Sequence, residues 1–164
     1  MDELELSRTV LRQGELRLQA QLQVALASDQ RAIVLVTLLA TAAAAAIGFS
    51  AAWFDAAPTK AALGSGALAA GACFLAAAWV CGLAARPQKF GLVGAQPDKW
   101  WRDGVETRPL HECLRKESAN YQGRIAYNRN VLKKNAETLR RGLRLAFVAP
   151  IFGFLAWASV LALV

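Results

Sequence analysis

Three windows of the chain carry no charged residue: positions 32–54 between Arg31 and Asp55, positions 61–85 between Lys60 and Arg86, and positions 145–164 after Arg144. A hydrocarbon core of roughly 30 Å takes about 20 helical residues to cross, and each window is long enough. The pattern predicts transmembrane helices at 32–54, 61–85 and 145–164. The first two are separated only by a turn at 55–60 containing Pro58, so they form an antiparallel hairpin. Small residues at four-residue spacing suit close packing within it: Ala42 to Ala46 on one helix, Gly64, Gly66, Ala67, Ala70 and Gly71 on the other. An alanine-rich span that fixes no interface is the equal alternative.

Residues 1–31 follow a different period. Leu4, Leu11, Leu18, Leu22 and Ala25, with Ser7 and Gly14, fall on one face of an amphipathic helix. This stripe needs a partner surface. Glutamines at 13, 19, 21 and 23 and few Lys or Arg on the remaining faces favour docking on protein over lying flat on lipid. The acidic residues Asp2, Glu3, Glu5, Glu15 and Asp29 distinguish this arm from the short basic leader of a signal peptide, so the first span is read as retained.

Between Arg86 and Thr107, Pro87, Gly91, Gly94, Pro97 and Gly104 predict a structured loop at the membrane surface. Trp100 and Trp101 in that loop read as headgroup anchors, with stacking on a ligand as the alternative. Pro109, with Thr107 as N-cap, opens a long helix that runs without a breaker to Gly142 and can continue into the last span. Along it Leu114, Ser118, Tyr121, Ile125, Asn128, Leu132, Asn135, Leu139 and Gly142 step by four and three, the spacing of a coiled-coil seam. Polar Tyr121, Asn128 and Asn135 recur there at seven-residue intervals, which predicts register-fixing helix pairing or oligomerisation. In the competing reading, Tyr121, Arg124 and Asn128 line a polar ligand pocket. Pro150 removes one hydrogen bond early in the last span, where neighbouring helices can compensate.

The fold class is therefore an all-α membrane protein: three transmembrane helices, a cytoplasmic amphipathic N-terminal helix, and a long cytoplasmic helix leading into the third span. Charge supplies the orientation. Four Lys and Arg precede the first span, one lies in the turn, and fourteen lie in 86–144. Basic residues near span ends resist translocation, so the arm and the 86–144 segment are expected in the cytoplasm, and the turn and C-terminus outside. Of the chain's net +7, the 86–144 segment alone carries +8. Arg86, Lys89, Arg140, Arg141 and Arg144, which flank spans directly, read as partners of anionic headgroups.

Catalytic signatures are missing from the sequence. There is no P-loop, no G-x-S-x-G and no H-E-x-x-H. His111 and Cys113 point apart on a helix, and Cys73, Cys81 and Cys113 read as small apolar residues with no metal spacing and no oxidising compartment. No span holds an ionisable residue of the kind that marks a proton relay. The basic segment lacks a nucleic-acid recognition motif. The expectation is a non-enzymatic protein with no metal, no cofactor and no nucleic-acid partner.

The arrangement of S-D-Q-R-A (Ser28 to Ala32) before a hairpin, then Arg86, Pro87 and Phe90, then Y-Q-G-R-I-A-Y-N-R-N (Tyr121 to Asn130) on a helix entering a last span, resembles a known family. It is similar to the Pycsar transmembrane effectors of bacterial antiphage defence, with the two-helix SLATT effectors as broader relatives. The resemblance spans nearly the whole chain and implies a multi-pass protein of the bacterial inner membrane. It implies activation by a cyclic nucleotide from a partner cyclase, assembly into a homo-oligomer, and membrane damage leading to abortive infection. It assigns no ligand residues. The ones that chemistry offers are cations away from the spans, Arg102, Arg108, Arg124 and Arg129, for phosphate, Trp100, Trp101 or Tyr121 for stacking, and Asn128 beside them. The alternatives are a constitutive structural subunit of a larger membrane complex and a holin-like lysis protein.

Overall fold

The computed structural model describes residues 2–53, 58–94 and 108–163, and these contain three long α-helices and no strand. We label them α1 (Glu3–Trp53), α2 (Pro58–Ala84) and α3 (Leu110–Leu161). Each contains a window long and apolar enough to cross a membrane. Between 11% and 28% of each window is buried within the protein, and large apolar side chains such as Ile33, Leu38, Leu75, Phe147, Ile151 and Leu155 face outward. Such all-round apolar surface suits lipid. The hydroxyls of Thr37, Thr41 and Ser159 donate back to the carbonyls of Ile33, Thr37 and Leu155 on their own helices, which satisfies them without water.

The predicted arm and first span are one unbroken helix of 51 residues, and the predicted long helix and third span are one of 52. Hydropathy changes at Arg31 and at Arg144, but no Pro stands at either junction, and the single Gly142 beside the second weakens a helix by only about 1 kcal/mol, so the i to i−4 bonding continues. At 1.5 Å per residue each helix is about 75 Å long, more than twice the hydrocarbon thickness. α2 starts on Pro58, whose fixed φ suits a first turn, and ends where Ala85 bonds back to Gly82 ahead of Pro87. α3 opens on the carbonyl of Pro109, which accepts from the amides of Glu112 and Cys113. Thr107, its predicted cap, lies outside the described residues, as do Trp100, Trp101 and positions 55–57 of the predicted turn. Pro150 sits inside α3 without ending it.

Two compact units emerge, and α1 and α3 each contribute to both. The first comprises 1–27 and 87–133. Here α1 and α3 run parallel: Gly14 lies against Tyr121, and Gln21 Nε2 donates to the Ile125 carbonyl. Leu18, Leu114, Tyr121, Asn128 and Val131 are buried in this unit. The arm's stripe meets the first part of the seam predicted for α3 within one chain, through Gly14 and Tyr121, which is the helix-pairing form of that expectation, whereas Gly142 at the end of the seam packs on α2. Glycine at position 14 is what lets a tyrosine ring lie flush on α1, since a Cβ there would sit 3.1 Å from Tyr121 Cδ2.

The second unit comprises 28–86 and 134–164. α2 packs on both other helices through small residues. Gly71 meets Ala43, Ala46 and Ile47 of α1, whereas Gly66 meets Gly153 and Trp157 of α3 and Gly142 of α3 meets Ala77 and Cys81. Of the predicted hairpin surface, Gly71 faces Ala43 and Ala46 as expected, while Gly66 and Ala70 serve α3. Leu39, Ala77, Ala78 and Cys81 form the core, flanked by Val36, Phe74, Leu139 and Ala146. At one end the Phe49 and Trp53 rings meet at a tilt, Lys60 lies 5.1 Å from the Trp53 ring, and Phe154 meets Trp157 at a tilt. Toward the other end of α2, Trp79 is 70% exposed. Tryptophans at both ends match interfacial belts.

Candidate functional site

The chemistry of the first unit gathers where residues 87–94 cross α3. This segment forms no helix or strand, so its backbone groups need partners from elsewhere. α3 supplies them from one face. Glu117, Tyr121, Arg124 and Asn128 recur at steps of three and four, which brings them into line along the helix.

Asn128 is fully buried, and its amide answers Gly91 twice, Oδ1 accepting from the Gly91 N–H at 2.8 Å and Nδ2 donating to the Gly91 carbonyl at 3.0 Å. This is the pair of bonds an adjacent strand would make. Gly91 is forced: a Cβ there would lie 2.9 Å from Arg124 Cβ. One turn up α3, Arg124 Nη1 donates to the carbonyls of Leu92 and Gly94 at 2.9 and 2.7 Å. The Gly94 amide donates in turn to Tyr121 Oη at 3.0 Å, and Gly94 has φ of 90°, a conformation that favours glycine.

Arg124 also lies 5.4 Å from the Tyr121 ring and 3.8 Å from Glu117 Oε1. Glu117 is 8% exposed. Its Oε2 accepts from Asn120 Nδ2, whereas Oε1 has no hydrogen bond. Burial pushes the Tyr121 phenol above its ordinary range; the Gly94 amide and Arg124 pull the other way, and Glu15 and Glu117 add to the rise. Tyr121 therefore stays a neutral phenol, with its proton free for donation while its oxygen accepts from Gly94.

Beside this clamp opens a shallow groove of about 500 Å³ lined by Lys89, Phe90 and Gly91 of the crossing segment and Asn120, Gly123, Arg124 and Tyr127 of α3. Nothing stands within 4 Å of where a Gly123 side chain would begin, so the floor is open backbone. The groove combines an ammonium, a guanidinium edge, a carboxamide and two aromatic rings. That set can hold an anionic group and a planar ring together.

Tyr121, Arg124 and Asn128 are thus brought together, but as the clamp on residues 87–94. Of the three only Arg124 also borders the groove. Arg108 is exposed in the bend before α3 and Arg129 is exposed on α3, both apart from the groove residues. Arg102 lies outside the described residues. Phe90, Asn120 and Tyr127 are groove residues that sequence reasoning did not propose as ligand contacts, and Lys89, read there as a partner of anionic headgroups, is another. Asn120, Gly123, Arg124 and Tyr127 do share a helical spacing, and that was the available signal. Among the described residues no group of three His, Cys, Asp or Glu can hold a metal ion, and Cys73, Cys81 and Cys113 are free thiols.

Among the described residues, fold and site define an all-helical protein with three helices fit to span a membrane and a polar unit carrying a clamped segment and an open groove. No family model, curated protein or solved structure matches the chain. The likeness to Pycsar-type effectors therefore rests on the sequence segments quoted above.

Proposed function

We propose that the protein is an antiphage effector of the bacterial inner membrane that takes a cyclic mononucleotide in the groove of its first unit and then damages the membrane. The observation that carries this reading is the groove itself. Lys89 and Arg124 supply cations for a phosphodiester, Tyr127 and Phe90 supply ring faces for a base, and about 500 Å³ is within the range of small-molecule sites. Three of the seven lining residues belong to the segment that follows α2 in the chain, so a ligand that prefers one position of that segment biases a spanning helix. The activity proposed is non-enzymatic.

Isothermal titration of the detergent-purified protein against purine and pyrimidine cyclic monophosphates tests this. Lys89→Gln removes a charge-assisted contact worth about 1.5–3 kcal/mol, so affinity should fall roughly tenfold to a hundredfold. Tyr127→Ala, at a half-exposed position, should weaken binding without unfolding the unit. Silence toward every cyclic mononucleotide sinks the proposal.

One observation favours a second reading. α1 leaves Leu6, Val10, Leu16, Val24 and Leu26 exposed in the first unit even after its buried stripe is filled. A constitutive subunit docked to a larger membrane complex would use such a surface. A subunit is harmless when overproduced with or without a cyclase, whereas an effector becomes toxic when its nucleotide is supplied.

A further inference from the structure

Within the second unit, a separate open groove of about 610 Å³ runs between α2 and α3. Its lining includes Val80 and Leu83 of α2 and Arg141, Arg144, Leu145 and Val148 of α3. On α3 the last four follow an i, i+3, i+4, i+7 pattern, so they share one face, and Arg141 stands about 10 Å along the axis from Val148. The two cations are at the end where the uncharged window begins, and everything past Arg144 is apolar or neutral. No acidic residue lines the groove. Neither guanidinium has a hydrogen bond or ion pair with another described residue.

We infer that this groove is a binding site for one anionic phospholipid, with the phosphate on Arg141 and Arg144 and an acyl chain along Val80, Leu145 and Val148. Along α3 from Arg141 to Val148 the order of chemistry is the order within a lipid molecule, charge first and hydrocarbon deeper. Two unpaired guanidinia select a headgroup with net negative charge over a zwitterion. A free phosphate is the poorer occupant, because it leaves the apolar wall bare. Diffuse attraction between juxtamembrane cations and an anionic leaflet would treat Arg140 and Arg141 alike. The groove does not, since Arg140 is next in sequence and is no part of the lining. This inference stands independently of the nucleotide reading, which concerns the other unit.

The test uses full-length protein reconstituted in nanodiscs of equal phosphatidylglycerol and phosphatidylethanolamine, released into detergent, with retained lipids counted by native mass spectrometry. The wild type should retain phosphatidylglycerol at least tenfold over phosphatidylethanolamine. Arg141→Gln with Arg144→Gln should abolish that preference, and Arg140→Gln should leave it. Val148→Trp, which fills the apolar end while keeping both cations, should also expel the lipid. All these positions are exposed, and Arg144→Gln alone serves as the second variant if the double substitution lowers helical content. Equal losses in Arg140→Gln and Arg144→Gln would reduce the site to surface charge and overturn the inference. So would full retention by Val148→Trp, or removal of the lipid by millimolar inorganic phosphate. A change of oligomeric state with no change in bound lipid would make the groove an interface between copies and overturn it equally.

Discussion

The fully buried Asn128 amide has both of its functions filled by one backbone unit, the N–H and C=O of Gly91. Replacement by Leu would leave two partly buried backbone groups of Gly91 without their partner at once. At about 1–3 kcal/mol for each, with partial relaxation, the expected cost is ~2–4 kcal/mol in the closure of residues 87–94. That corresponds to a rise of about thirty- to a thousandfold in hydrogen exchange of that segment. Asn128→Asp, which keeps the acceptor but sets an oxygen against the Gly91 carbonyl, should open the segment too. A Leu variant with wild-type exchange but altered oligomeric state would return Asn128 to the register-setting role that its seven-residue spacing suggests. Spacing shows which face a polar residue occupies and cannot name its partner. Tyr121, Arg124 and Asn128 were legible as a set for that reason. Lys89 and Phe90 were not, because only the path of an irregular segment brings them to α3.

At the scale of helices, both stripes read from the sequence are buried. Residues 4, 7, 11, 14 and 18 on α1, and 114, 118, 121, 125 and 128 on α3, are all at least partly covered in the first unit. A 3.5-residue period survives translation along a helix, so it identifies the buried face well. It holds no information on which stripe meets which, and the arm and the seam became separate expectations for lack of a contact to join them. Helix ends were harder for a related reason. A change from charged to apolar residues alters the medium around a helix and leaves its backbone bonding untouched, so composition divided α1 and α3 where the structure does not. Close packing of α2 was partly legible in its glycines, and it makes a sharp prediction. A Cβ at Gly66 would lie 2.7 Å from the carbonyl oxygen of Gly153, a backbone atom that cannot turn aside. Gly66→Ala should therefore push α2 from α3 and destabilise the protein by about 1–3 kcal/mol. Gly48→Ala, with nothing within 4 Å of the new methyl, should be neutral or stabilising by up to about 1 kcal/mol. Thermal unfolding of both variants in the same detergent gives the comparison, and equal midpoints would refute the α2–α3 contact.

For the whole molecule, the pairing of residues 1–27 with 87–133 in one compact unit constrains topology before any charge is counted. Segments joined by the Gln21 to Ile125 bond and the Gly14 to Tyr121 contact must lie on the same side of a bilayer, and an even number of crossings must separate them. The apolar windows of α1 and α2 are those two crossings. Which side the unit occupies is then a question of cost. Exporting the unit's side would carry the four basic residues of the arm and the fourteen of 86–144 across, against the single Lys60 of the turn. Basic residues near span ends set orientation through that difference, so the unit is expected in the cytoplasm. A reporter active only in the periplasm should work after Val164 and between Asp55 and Lys60, and should be silent after Ala27 or within Arg86 to Arg144. Activity at both silent positions would invert the orientation while keeping the pairing. Activity at only one would break the first unit itself, because its two halves would then face different compartments.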